Sequence, residues 1–143
     1  VSRVGGAAQT QVMKKSVGNI RLELSQYRER QVFAQFGGDL DPDTMRELRY
    51  GEGLLRLLRQ PCRAPMTLCR QVITLICAQA RLFLPVPVGE IKEVQEARLT
   101  YMEHAHSALS LRIDSTKTYT EDLKNEIITA AQAFFSSRGY ADA

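Results

Sequence analysis

The sequence predicts an all-α fold, a single five-helix bundle or superhelical domain. Three observations lead there. Apolar residues recur at three- and four-residue spacings through every long segment. No stretch alternates apolar and polar residues as a half-buried strand would. All five prolines fall outside the helical stretches so defined. Such agreement between periodicity and punctuation is what a cooperatively folded helical domain requires.

The first helix is expected from about Thr10 to Phe36, with Met13, Val17, Ile20, Leu24 and Tyr27 along one stripe. Gly18 is its weak point, costing about 1 kcal/mol relative to alanine. Gly37-Gly38 ends it, because glycine readily enters the left-handed conformation of a helix terminus. The second helix declares its start: Asp41 can cap it, Pro42 suits the first helical position, and Asp43 and Glu47 favour the positive end of the dipole. Leu48, Leu54, Leu55 and Leu58 are its expected apolar face.

PCRAP at 61–65 makes a tight connection to a third helix, expected from Thr67 to about Phe83 with Leu68, Val72, Leu75, Ile76 and Ala80 inward. LPVPVG is extended, since the residue before a proline avoids the helical region. The fourth helix is expected from Val88 to about Ile113, carrying Ile91, Val94, Tyr101, Ala105, Ala108 and Leu109. Thr120 then caps a fifth, whose stripe is Leu123, Ile127, Ala131 and Phe134.

A sequence of 143 residues fits one domain and can bury roughly two-thirds of its unfolded surface. Hydrophobic content of 44% and charged content of 24% are ordinary for a globular protein. No apolar run approaches the roughly 20 residues a membrane span needs, so no direct membrane span is expected. The net charge of +3 hides an asymmetry: residues 1–36 carry six basic and two acidic side chains, residues 89–143 six and nine. Aromatic residues make up only 7% of the chain and the basic ones are scattered along helical patterns. That is the pattern of solvated helix faces, not of a nucleic-acid surface.

Three cysteines at 62, 69 and 77 contain no CxxC pair and leave an odd count, which argues for reduced thiols and against zinc. Cys69 and Cys77 lie in an apolar stretch and read as small hydrophobes. His104 and His106 stand two apart on a helix and diverge, so they cannot chelate one ion together. Glu90, Glu93 and Glu96 recur along one helix as a solvated face, whereas a catalytic pair converges from separate elements. VGGAA lacks both the lysine and the preceding strand of a phosphate-binding loop. By itself, the chain reads poorly as an enzyme.

VSRVGGAAQT, then MKK, RLELSQYRE and FAQFGGDLD, with LLRQ at 57–60, occur in order and without gaps in a pattern that resembles the alpha subunit of rotary F-type ATP synthases. The likeness is dense over the first 60 residues and thins to spacing afterwards, through Pro65-Met66, Gln71-Val72 and VPVGEIKEVQEA. It implies a division in which residues 1–9 are the tail of a central nucleotide-binding domain, with a severed strand end at 1–6, and residues 10–143 are the helical C-terminal domain. A start on a bare valine then fits a cut inside a larger protein.

The resemblance also implies functions for particular residues. Arg3 matches an arginine finger offered to the nucleotide of an adjacent beta subunit, where a permanently cationic planar fork stabilises charge on the transferring phosphate. Gln60 falls where the family places a glutamine near the adenine of its own non-catalytic nucleotide; a helix-terminating role is the alternative. The family's second glutamine is replaced by Cys62, a poor donor and acceptor beside an amide. Phe33, Phe36, Asp39 and Asp41 surround the turn that points toward the central rotor, although capping by Asp41 needs no rotor. Cys69-Arg70 stands where the family commonly carries acids, which alters contacts with neighbouring subunits.

On this reading the parent subunit binds ATP or ADP with Mg, the isolated piece binds no nucleotide, and the partners are beta subunits and a gamma rotor in a ring of three alpha and three beta subunits. The parent is the regulatory, non-catalytic nucleotide-binding subunit of a proton-driven machine. It sits in a peripheral membrane complex facing the cytoplasm, or the equivalent organellar compartment. Two other readings stay open from the residues alone: a free-standing helical adaptor for a protein partner, and a basic helical RNA binder.

Overall fold

A computed structural model describes residues 7–36, 38–60 and 62–140. Among them every element with regular structure is helical. Seven α-helices have defined bounds: α1 Gln11–Val17, α2 Ile20–Gln35, α3 Pro42–Leu58, α4 Leu68–Gln79, α5 Ile91–Ala105, α6 Ser107–Thr116 and α7 Glu121–Ser137, with a 3-10 turn at Val88–Glu90 before α5. The all-α class and the five helical segments are present, and two of those segments are interrupted once each.

Capping side groups set four of the helix starts. Thr10 accepts from the Met13 N–H at 3.4 Å, Asp41 from Thr44 at 3.3 Å, Thr67 from Arg70 at 3.3 Å and Thr120 from Leu123 at 3.1 Å. Each satisfies a donor that the helix itself leaves orphaned, typically contributing about 1 kcal/mol. A second residue reinforces the start of α4: the Asp114 carboxylate, reaching across from α6, accepts from the Cys69 N–H at 3.1 Å.

Helix α4 is the axis of the fold. Cys69 and every residue from Val72 to Ala78 are buried, while Leu68, Arg70, Gln71 and Gln79 at its two ends are half-buried. The middle of the helix therefore has no solvent face, as expected of a stretch apolar nearly all round. Helices α1, α3, α5, α6 and α7 each pack on it. Leu123, Ile127, Ala131 and Phe134 of α7 are all buried as the stripe predicts. Beside them Phe83 and Phe135 meet edge to face at 5.1 Å between centroids, and Phe134 meets Phe135 at 5.6 Å. Such pairs add about 0.5–1.5 kcal/mol beyond their burial.

Several expected boundaries move. The helix expected over 10–36 breaks at Gly18, whose φ of 47° and ψ of −125° lie outside the helical region. Tertiary packing turns the backbone there so that α1 lies on α4 while α2 lies on α3. The helix expected over 88–113 breaks at His106, whose backbone leaves the helical region at φ −129° and ψ 44°. The third helix ends at Gln79 rather than Phe83, and Arg81 takes a left-handed φ of 59° to bring Phe83 and Val86 back into the core.

The inward face of α3 also differs from expectation. Tyr50, Gly51, Gly53, Leu54 and Leu57 are buried, whereas Leu48 and Leu55 are half-buried and Leu58 is exposed. Glycine carries no hydrophobic signal, yet here it admits a close helix crossing: a Cβ on Gly51 would overlap the Tyr27 ring of α2. Ala105 and Ala108 are exposed, because the break at His106 rotates the faces of α5 and α6 relative to one another.

A buried polar group went unpredicted. Arg98 of α5 is 0% exposed, donates from Nη2 to Thr74 Oγ1 at 3.1 Å, and lies 4.8 Å over the Phe83 ring. Gln95 joins the same Thr74 hydroxyl at 3.3 Å. Burial pulls the Arg98 guanidinium below its ordinary value and pushes the neighbouring Cys77 thiol up. Cys69 and Cys77 are buried as expected of small hydrophobes, and Cys62 is exposed.

The Gly51 crossing yields a direct test. Gly51→Ala gains about 1 kcal/mol of helix propensity but forces α2 and α3 apart. The expected net result is a loss of about 1–3 kcal/mol in urea unfolding, against a smaller change for Gly53→Ala, whose Cβ would stand 3.1 Å from Ile91 Cδ1 and asks only a slight shift of that buried side chain.

Candidate functional site

Helices α2 and α3 form a hairpin whose closed end carries the most exposed aromatic side chains of the described residues. Helix α2 stops at Gln35; the Phe36 N–H turns back to the Phe33 carbonyl at 3.1 Å, and Gly38 follows with φ 82°. Phe33 is 81% and Phe36 84% exposed, and Val32 and Met45 are more than half exposed beside them. Two aromatic rings left in water forgo burial worth roughly 1.5–3 kcal/mol apiece, and none of the described residues covers them.

Asp39 and Asp41 lie in the turn itself and are exposed. Asp41 caps α3 as expected, while its second carboxylate oxygen makes no hydrogen bond with the described residues. With Asp43 in the first turn of α3, the tip combines apolar rings with a cluster of acids. Gly37, between them, lies outside the described residues.

The arms of the hairpin are held by an ion-pair network that periodicity does not show. Arg81, from the turn after α4, binds the Glu47 carboxylate of α3 through both terminal nitrogens at 2.6 and 3.3 Å. Arg30 of α2 reaches the same carboxylate at 3.5 Å. The Arg81 guanidinium also lies 4.4 Å over the Tyr50 ring, and the Tyr50 hydroxyl donates to Glu23 of α2 at 2.6 Å. The hydrogen bonds and charge of Arg81 hold Glu47 below the usual carboxylate range. Burial, and then Glu23, push the Tyr50 hydroxyl well above its ordinary value.

Gln60 sits at the other end of α3. It is exposed and follows Arg59, whose extended backbone ends the helix. It borders an open groove of about 540 Å³ together with Met66, Arg70, Lys92, Gln95 and Glu96. Lys92 Nζ donates to the Leu57 and Arg59 carbonyls, satisfying two acceptors that α3 leaves free. The Gln60 amide makes no hydrogen bond with the described residues. Helix α3 has 17 residues, so about 25 Å separate Gln60 from the tip. The structure therefore does not bring the candidate residues together; it places them at opposite ends of one helix.

Arg70, expected to alter contacts between subunits, is engaged internally. Its Nε and Nη2 form a fork with Glu103 at 2.7 and 3.1 Å, and Nη1 reaches Glu96 at 3.4 Å. Its predecessor Cys69 is buried. Arg3 lies outside the described residues. His104 is exposed, and His106 meets the Tyr101 ring edge-on at 5.7 Å.

The network around Glu47 predicts a pH dependence. A carboxylate with a depressed folded value stabilises the fold above its unfolded pKa of roughly 4.3, and that stability is lost as pH falls through the folded value. The unfolding free-energy gap between the natural protein and Glu47→Gln should therefore be open at pH 7 and should close steadily below about pH 4.5; urea titrations across that range measure it.

Comparison with known proteins agrees with this architecture. Residues 9–134 match the family described as ATP synthase alpha/beta chain, C terminal domain. The sequence is 37% identical over 140 residues to ATP synthase subunit alpha 2 of Photobacterium profundum, covering 98% of this chain and 27% of that protein. It is 38% identical over 140 residues to ATP synthase subunit alpha of Psychrobacter cryohalolentis, again covering 98% and 27%. The figure for ATP synthase subunit alpha of Caldanaerobacter subterraneus is 41% over 130 residues, covering 91% and 26%. The chain thus spans about a quarter of the length of these relatives. By the extent of these matches, the protein belongs to the family of C-terminal domains of ATP synthase alpha and beta subunits, with alpha subunits as its matched relatives.

Proposed function

We propose that residues 10–143 are the helical C-terminal domain of an ATP synthase alpha subunit and residues 1–9 the tail of its central nucleotide-binding domain. The parent is the regulatory, non-catalytic nucleotide-binding subunit of a proton-driven peripheral membrane complex, on the cytoplasmic or equivalent organellar side. In this reading the α2–α3 tip meets the gamma rotor within a ring of alpha and beta subunits. The observation that carries it is the pair of rings, Phe33 and Phe36, exposed at the end of a hairpin whose arms are braced by ion pairs. Asp39 and Asp41 beside them favour a basic surface across the gap.

Arg3 supplies the finger to the neighbouring beta subunit, where its charge stabilises the terminal phosphate during transfer. The parent holds its own ATP or ADP with Mg elsewhere, and Gln60 meets the adenine edge. Its exposed amide at the groove suits that task. Exposed Cys62 supplies no equivalent hydrogen bonds, so adenine recognition here rests on one amide.

Two substitutions in the parent complex separate these assignments. Phe33→Ser with Phe36→Ser should leave domain stability within about 0.5 kcal/mol, as exposed positions do, while lowering ATP synthesis driven by rotation. Unchanged synthesis in the assembled double variant would remove the rotor reading. Arg3→Lys should lower multisite ATP hydrolysis on the order of 10³-fold without loss of assembly; a rate close to the natural one would remove the finger.

A further inference from the structure

Gln79 and Arg81 stand two residues apart at the end of α4, yet they hold different parts of the fold. Gln79 Nε2 donates to the Ser16 carbonyl near the end of α1. The same amide closes on Gly18: an ideal Cβ there would lie 2.9 Å from Gln79 Oε1. Gly18 has a φ of 47°, which side-chain-bearing residues rarely adopt. The bend between α1 and α2 is therefore shaped around the Gln79 amide.

Arg81 faces the other way. Its guanidinium bridges Glu47 and Tyr50 on α3, and through them it meets Arg30 and Glu23 on α2. Helix α2 buries only Ile20 and Tyr27 and packs chiefly on α3. Apolar contact thus does little to hold it against the rest of the bundle. A left-handed φ of 59° at Arg81 aims the two side chains at these separate targets.

We infer that the Gln79–Arg81 turn is a clasp that couples the α2–α3 hairpin mechanically to α1. A displacement of the tip would otherwise dissipate as rotation about Gly18. With the clasp closed, the hairpin and α1 share one anchor at the end of α4, whose preceding turns are buried, and the displacement is delivered to α1. This helix follows directly on the residues that include Arg3. Single exposed ion pairs contribute little. A bidentate fork that also stacks on an aromatic ring is stiffer, because one guanidinium serves both contacts. The use of the clasp rests on the tip being a partner-facing surface; the coupling itself is a property of the fold.

Hydrogen exchange on the 143-residue protein tests the coupling without any partner. The hydrogen bonds and ring contact that Arg81→Gln removes lie on α3, with α2 reached through Glu47 and Tyr50, and none of them lies on α1. Amides 14–17 of α1 should nevertheless exchange on the order of tenfold faster, along with those of α2, while α7 stays at its natural rate. Gln79→Ala should reciprocally accelerate α2. If each variant loosens only the elements its side chain touches, the clasp is refuted. Should Arg81→Gln loosen α7 as well, Arg81→Lys decides: it keeps the charge and loses the fork, and α1 must still accelerate ahead of α7 for the inference to stand. Refutation would leave the rotor reading intact, since that reading depends on Phe33 and Phe36 in the assembled complex.

Discussion

Burial of the Val72–Ala78 segment of α4 is the constraint on which the rest of this domain depends. A helical segment with no solvent face needs neighbours on every side, and five of the other six helices are arranged to provide them. Its start is anchored twice, by Thr67 locally and by Asp114 from α6. Its interior tolerates one polar residue, Thr74, because that hydroxyl is engaged by Arg98 and Gln95 of α5. A lone buried guanidinium is costly when unpaired. Here Thr74 and the Phe83 face meet part of that cost and join α5 to α4 and the turn that follows it, while Arg98 Nε and Nη1 have no hydrogen-bond partner among the described residues.

The same constraint explains why α2 is different. Once α1, α3, α5, α6 and α7 surround α4, α2 buries only Ile20 and Tyr27 and is carried chiefly on α3. Its attachment is the Gly51 crossing together with charged groups at Glu23, Arg30, Glu47 and Arg81. A hairpin attached in this way can expose Phe33 and Phe36 without weakening the core.

At the other end of α3 the charges are settled within the domain. Arg70 of α4 pairs with Glu103 and Glu96 of α5 and ties the two helices together. Cys62 is exposed two residues beyond Gln60. The length of α3 thus separates this end from the exposed rings and acids of the tip.

The residues alone determined the helical class, the caps at Asp41 and Thr120, the helix starts near Thr10 and Thr67, the α7 stripe and the family. These follow from local hydrogen bonding, from 3.6-residue periodicity and from a run of specific neighbours, all of which act over a few positions. Only the tertiary structure decided that Gly18 and His106 break their helices, that Gly51 and Gly53 face inward, and that Arg98 is buried. It also decided that Gln60 and the tip lie at opposite ends of α3, and that Glu47 serves Arg30 and Arg81 besides standing near a helix start. Those outcomes depend on partners 17 to 63 residues away, and a periodicity confined to one helix carries no record of which distant surface will press against it.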